Sequence, residues 1–186
     1  MRGYTIVNQP SDASVVERVL AGDVEAFALL VDRHHGRMAR YAFHLLGSEA
    51  EAEEAVQDSF VRAYRSMGTY AEREQFGAWI MRILVNRCRT RLVRDRRREE
   101  AAAAWVREAD QPFEPSEQLA MRDELAVALA RLPGDQREAV VLRYADELGY
   151  NEISSITGAG ISALKMRVKR GCERLRAILE ASRAGS

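Results

Sequence analysis

Leu164, Val168, Cys172, Leu175 and Leu179 recur at spacings of three and four directly behind a glycine turn, Gly158-Ala159-Gly160. On a helix they form an apolar stripe about 80° wide, so this segment must lay one side against its own domain and leave the other to solvent. The free side is fixed by geometry: Ser162, Ala163, Met166 and Arg170, flanked by Lys165, Arg167, Lys169 and Arg174. Ile153 and Ile156 place a short helix ahead of the turn. A helix, a glycine-containing turn and a second helix make a helix-turn-helix, whose second helix enters the major groove of duplex DNA. The basic flank neutralises phosphates, and base identity is read by the exposed face. A solvated surface helix also carries charge, but it does not require turn, stripe and basic face to coincide.

The chain's net charge of zero does not argue against such a partner, because the charge is segregated. Residues 1–98 hold 16 basic and 13 acidic side chains, residues 99–130 hold 2 and 8, and residues 131–186 hold 10 and 7. Neutrality is therefore an average over unlike pieces. With 47% apolar residues and few β-branched alternations, the 186-residue chain predicts an all-α fold, divided into two small helical domains joined by a linker. Cys88 and Cys172 are isolated, so neither a disulfide framework nor a zinc site is expected; both read as small core residues, and no metal or cofactor is implied. No secretory leader or membrane-length apolar run stands out, which predicts a soluble, cytoplasmic protein with no membrane insertion.

Residues 1–11 read as a lead-in, with Asp12 or Ser14 as the first helix cap and Asp23 as the second. Ser48 and Glu51 form a candidate capping box for a helix over 49–67, which aligns Ala52, Val56, Phe60 and Tyr64. Its first half carries Glu49, Glu51, Glu53, Glu54 and Asp58 before any basic residue. Dipole compensation covers Glu49 and Glu51, whereas Asp58 lies beyond its reach, so an acidic docking surface stands beside that simpler reading. After the polar loop 71–75, a helix from Phe76 to about Arg94 places Arg82, Asn86, Arg89 and Arg96 on one stripe. Phe76, Trp79 and Ile83 form one apolar face beside it, and Met81, Val85, Cys88 and Leu92 another. The basic cluster RDRRR at 94–98 ends the helix, and this alignment favours nucleic-acid contact. Residues 99–118, acidic with Pro112 and Pro115, are the linker candidate. Helices over 117–130 and 135–145 follow; Asp135 is the expected cap of the second, which would bury Ala139, Val140, Leu142 and Tyr144 in some combination.

Taken together, EAEEAVQDSFVRAYRSMGTY, FGAWIMRILVNRCRTRLVRDRRR and LPGDQREAVVLRYADELGYNEISSITGAGISALKMRVKRGCERLR, in this order, resemble the extracytoplasmic-function (ECF) sigma factors of bacterial RNA polymerase. The resemblance implies a transcription initiation factor that directs core polymerase to promoter DNA, and not an enzyme. It assigns 12–98 to polymerase docking and minus-ten melting, 99–118 to an acidic linker threading polymerase channels, and 119–182 to minus-thirty-five recognition. Glu53, Gln57, Asp58 and Phe60 match the segment that docks on the coiled coil of the largest polymerase subunit. Arg73, Gln75, Arg82, Asn86 and Arg89 match the part that opens the minus-ten element and holds an extruded base. Ser162, Ala163, Lys165, Met166, Arg167, Lys169, Arg170 and Arg174 match the upstream reader. An anti-sigma factor is the implied inhibitor, with domain packing as the other way to hide the DNA surfaces. Two positions depart from the family pattern: Thr90 stands where Asp is common, and Gly160-Ile161-Ser162-Ala163-Leu164 stands in place of Ser-Val-Gly-Thr-Val, so the usual capping serine is gone and Ser162 is the candidate to replace it. No further C-terminal domain is expected.

Two rivals differ in class. An ordinary helix-turn-helix regulator, dimeric on a palindrome, would use the C-terminal block but leave the acidic helix and the Arg82/Asn86/Arg89 stripe idle. A helical hydrolase using His34, His35 or His44 lacks a carboxylate at ligand spacing such as HExxH.

Overall fold

The computed structural model describes residues 10–70, 75–105 and 120–184, and every regular element among them is helical. The N-terminal block holds α1 (Asp12–Leu20), α2 (Phe27–Leu46), α3 (Glu49–Arg65) and α4 (Phe76–Trp105). The C-terminal block holds α5 (Ala120–Ala130), α6 (Gly134–Tyr144), α7 (Tyr150–Thr157) and α8 (Ile161–Ala184).

Local chemistry sets most boundaries. Ser11, rather than Asp12 or Ser14, caps α1 by accepting the Ser14 N–H at 3.2 Å. Asp12 is occupied elsewhere, bonded to Arg33 and His34 at 2.8 Å each. Asp23 caps the turn before α2 through the Ala26 N–H. Ser48 caps α3, but the expected box is half made, because Glu51 reaches across to Arg91 instead of back to its own cap. Pro133, not Asp135, precedes α6; Asp135 lies inside the first turn and pairs with Arg167 at 3.2 Å. Both α2 and α7 end on a left-handed glycine, Gly47 at φ 81° and Gly158 at φ 72°, a conformation that favours glycine because it has no Cβ.

α4 does not stop near Arg94. It runs 30 residues to Trp105, because RRREEAAAA contains only good helix formers, so the first part of the expected linker extends the helix. The remainder of that linker, 106–118, and the loop residues 71–74 lie outside the described residues.

The N-terminal core packs α2, α3 and α4 around Leu30, Met38, Tyr41, Leu45, Val56, Ile80, Leu84 and Cys88. Ile80 and Leu84, between the two apolar faces read from the sequence, are fully buried, so more than half of α4's circumference is enclosed. In the C-terminal block Leu142, Ile153, Leu164 and Val168 form the core where α6, α7 and α8 meet. Tyr144 does not join them: it is 62% exposed, at the last turn of α6. Cys172 is only partly buried, whereas Cys88 is enclosed. The blocks touch, α4 against α7 and α2 against α5 and α6.

Candidate nucleic-acid interface

Two surfaces qualify, one on each block. The first is the outer face of α8. The turn that aims it is fixed on both sides: the Thr157 hydroxyl donates to the Ile153 carbonyl at 2.7 Å and accepts the Ala159 N–H at 3.3 Å. At the other end of α7, Glu152 accepts the Gly149 N–H at 2.8 Å. Leu164 and Val168 anchor α8 inward, which turns Ser162, Ala163, Lys165, Met166, Lys169, Arg170 and Arg174 to solvent. Ile161 and Met166 are exposed apolar groups at the start of the helix, the chemistry that meets thymine methyls in a major groove.

The flanking cations are individually positioned. Lys165 Nζ lies 5.8 Å from the centre of the Tyr150 ring, and the Arg143 guanidinium lies 5.4 Å from the same ring. Arg167 is tied to Asp135, and Lys169 sits 4.0 Å from Glu173 one turn on. Among the described residues Arg170 and Arg174 carry no ion pair, so their charge is the most available for DNA.

The second surface is the polar stripe of α4. Its loop is bracketed by packed rings: Tyr70, Phe76 and Trp79 have centroids 5.3 to 6.0 Å apart. Gln75 opens α4, its carbonyl accepting the Ala78 and Trp79 N–H groups. Arg73 lies outside the described residues. Asn86 is exposed, and the Thr90 hydroxyl donates to the Asn86 carbonyl at 2.8 Å. Arg82 and Arg89, however, meet the C-terminal block. Arg82 Nε donates to the Ser155 carbonyl at 3.1 Å. Arg89 grips Glu138 with two bonds of 2.7 and 2.6 Å and reaches the Thr157 carbonyl at 3.4 Å. The bonds to Glu138 hold the Arg89 guanidinium above its usual pKa, and burial together with Glu138 pushes the Cys88 thiol up to about 12.

The acidic face of α3 is less free than its sequence implies. Asp58 pairs with Arg87, Glu54 and Glu51 share Arg91 at 2.7 and 3.2 Å, and Glu53 bonds Gln57 and His35. The Gln57 amide, followed by His35, holds Glu53 below the usual carboxylate range. Phe60 is not on this surface; it is 6% exposed and meets Phe27 edge-on at 6.2 Å, supporting the face from beneath. His34 and His35 do have carboxylate partners, Asp12 and Glu53, brought close by tertiary packing rather than by sequence spacing. His44 is lowered from its usual pKa by burial and by Arg40. No group of three metal-capable side chains occurs among the described residues.

Sequence reasoning missed the residues that join the two blocks: Arg37 bonds Asp146, Arg137 reaches the Leu45 carbonyl, and Glu138 holds Arg89. A signal was present, since Glu138 and Asp146 flank buried Leu142 by four residues on either side and so place acids on an inward face.

Comparison with known proteins matches each block to a known module. Residues 30–98 match the Sigma-70 region 2 model and residues 122–175 the Sigma-70 region 4 model. The chain is 33% identical to the ECF RNA polymerase sigma-E factor of Salmonella typhimurium over 89% of its own length and 92% of that protein's. It is 27% identical to the RNA polymerase sigma-H factor of Pseudomonas aeruginosa, covering 90% and 93% of the two chains. Among solved structures, CnrH in complex with the cytosolic domain of CnrY superposes with a TM-score of 0.72 at 25% identity, covering 92% of this chain and 99% of that one. The sigma factor RpoE in complex with the anti-sigma factor NepR from Bartonella quintana gives 0.67 at 28% identity, covering 83% and 96%. With a region 2 module, a region 4 module and a full-length relative one-third identical, the chain belongs to the ECF sigma factors of RNA polymerase.

Proposed function

We infer that this chain directs bacterial core RNA polymerase to specific promoters and starts transcription there. The N-terminal block, 12–98, docks on polymerase through the α3 face carrying Glu53, Gln57 and Asp58, and uses the loop before α4 with Gln75, Arg82, Asn86 and Arg89 to open the minus-ten element. The C-terminal block, 119–182, reads the upstream duplex through α8. The single observation that carries this reading is the presence of both modules, in order, each with a cationic surface. Neither task makes or breaks a covalent bond, and work on DNA beside polymerase places the protein in the cytoplasm. An extruded base costs a few kcal/mol, and aromatic stacking returns about 1 to 3 kcal/mol per base, so melting is a near balance tipped by contacts. By analogy with the complexes of CnrH and RpoE, an anti-sigma protein is the expected inhibitor.

Run-off transcription from a promoter library, using core polymerase with and without this chain, tests the reading directly. Discrete transcripts that depend on the chain are expected; their absence, with any inhibitor removed, would refute it. On the upstream duplex, Arg170→Ala should weaken binding by about 1 to 3 kcal/mol and relax the sequence preference, whereas Lys165→Ala should weaken all duplexes alike. Equal, sequence-blind losses in a titration series would show that the two faces of α8 are wrongly assigned.

A further inference from the structure

We propose that Tyr150 is a positioning residue for upstream DNA: its ring gathers Arg143 and Lys165 into one phosphate clamp, which adds Arg143 to the residues that touch the duplex. The proposal rests on the upstream-reading role given to α8 above.

The arrangement starts at the end of α6. Arg143 Nη1 donates to the Leu148 carbonyl at 2.8 Å, across the turn that carries Glu147 in the left-handed region at φ 54°. Leu148 is buried, so this bond ties the guanidinium to a fixed part of the chain. The Tyr150 ring, half-buried at the first residue of α7, lies 5.4 Å from the Arg143 guanidinium carbon and 5.8 Å from Lys165 Nζ on α8. Three helices thus meet at one aromatic surface, whose negative π-face attracts both cations. The separation of the two charges cannot exceed those distances laid end to end, about 11 Å, and one DNA strand carries a charge about every 3.4 Å of axis. Both cations therefore reach the same short run of backbone.

The fold of the free chain does not call for this grouping. Among the described residues neither Arg143 nor Lys165 has an ion pair, whereas Arg167 and Lys169 beside them are matched to Asp135 and Glu173. Two like charges held on one ring repel each other, and Lys165, the fifth residue of α8, stands near the positive end of that helix dipole. Arg143 alone has a local reason, since it sits in the last turn of α6, where a cation suits the dipole. A phosphate between the two cations removes the repulsion, and its oxygens accept from the guanidinium donors that Leu148 leaves unused. The ring's part is entropic: lysine and arginine lose rotamer freedom when they bind, and a side chain already resting on an aromatic face has less to lose.

The test uses the full chain and a fluorescein-labelled pool of random 30-mer duplexes, read by anisotropy between about 50 and 200 mM NaCl. A random pool suits it, because phosphate contacts carry no sequence information. Arg143→Ala should flatten the slope of log K against log salt by about 1, as the loss of one phosphate contact requires. Tyr150→Leu should weaken binding about fivefold, and Tyr150→Phe, which keeps the π-face, should bind within about twofold of the parent. In an Arg143→Ala, Lys165→Ala background Tyr150→Leu should cost nothing further, since the ring then has no cation to place. A loss that persists there would make Tyr150 a packing residue, and equal losses from Phe and Leu would assign the effect to the hydroxyl; either outcome overturns the proposal. Should Tyr150→Leu lose its helical circular dichroism, Arg143→Ala carries the test, and an unchanged salt slope overturns the clamp. Lys165→Ala separates the clamp from the reading beneath it. If it flattens the slope while Arg143→Ala does not, the clamp fails and the role of α8 stands; if neither changes the slope, the phosphate role of α8 fails and the clamp with it.

Discussion

Gly171→Val should detach α8 from α6 and cost the C-terminal block about 3 kcal/mol or more. A Cβ built at Gly171 would meet Val140 Cγ2 at 2.6 Å and the Gln136 carbonyl at 3.3 Å, and valine adds two methyls to that collision. Glycine within a helix is otherwise disfavoured by about 1 kcal/mol relative to alanine, so its presence here is explained by the close crossing rather than by propensity. Gly171→Ala should cost less, because Val140 can rotate and alanine regains helix propensity. Combining it with Val140→Ala should restore much of the loss, a coupling expected of touching side chains. Urea unfolding followed by circular dichroism, with upstream-duplex binding in parallel, measures all three. An unchanged midpoint for Gly171→Val would mean that α6 and α8 do not cross there.

The second large effect is functional. Asp58→Arg should weaken association with core polymerase about 100-fold or more, since like charges across an interface cost several kcal/mol, while upstream-duplex binding stays intact. Asp58 is 43% exposed and pairs with Arg87, so two roles compete: holding Arg87 in place, or meeting a basic partner. An exposed pair of this kind contributes about 0 to 1 kcal/mol, and the fold should survive its loss. Arg87→Ala separates the roles. If Asp58 serves the partner, freeing it leaves association within about threefold of the parent; equal damage from both substitutions in a polymerase titration would assign Asp58 to structure instead.

What the sequence made legible follows from which forces are local. Glycine stops at Gly47 and Gly158, the Asp23 and Ser48 caps and the apolar stripe of α8 are decided within one or two turns, and they stand where spacing placed them. Family motifs carried the order of the two modules. Harder to read were choices made by tertiary partners. Asp12 gave up its cap to Ser11 because Arg33 and His34 approach from α2. Phe60 shares a helix with Glu53 and Asp58, but Phe27 draws it inward. Tyr144 lies two residues past buried Leu142, about half a turn round the helix, and so faces water. The clasp between Arg89 and Glu138, 49 residues apart, leaves no periodic trace beyond an acid on an inward face.

The unequal setting of the two thiols has a practical outcome. Cys88 is sealed inside the N-terminal core with its thiol pushed up to about 12, so at neutral pH it offers almost no thiolate to an alkylating reagent. Cys172, partly open on α8, is the other cysteine in the sequence. A maleimide dye added to the native protein is therefore expected to mark α8 alone, without any change to the amino-acid sequence, and mass spectrometry of the digested adduct checks it.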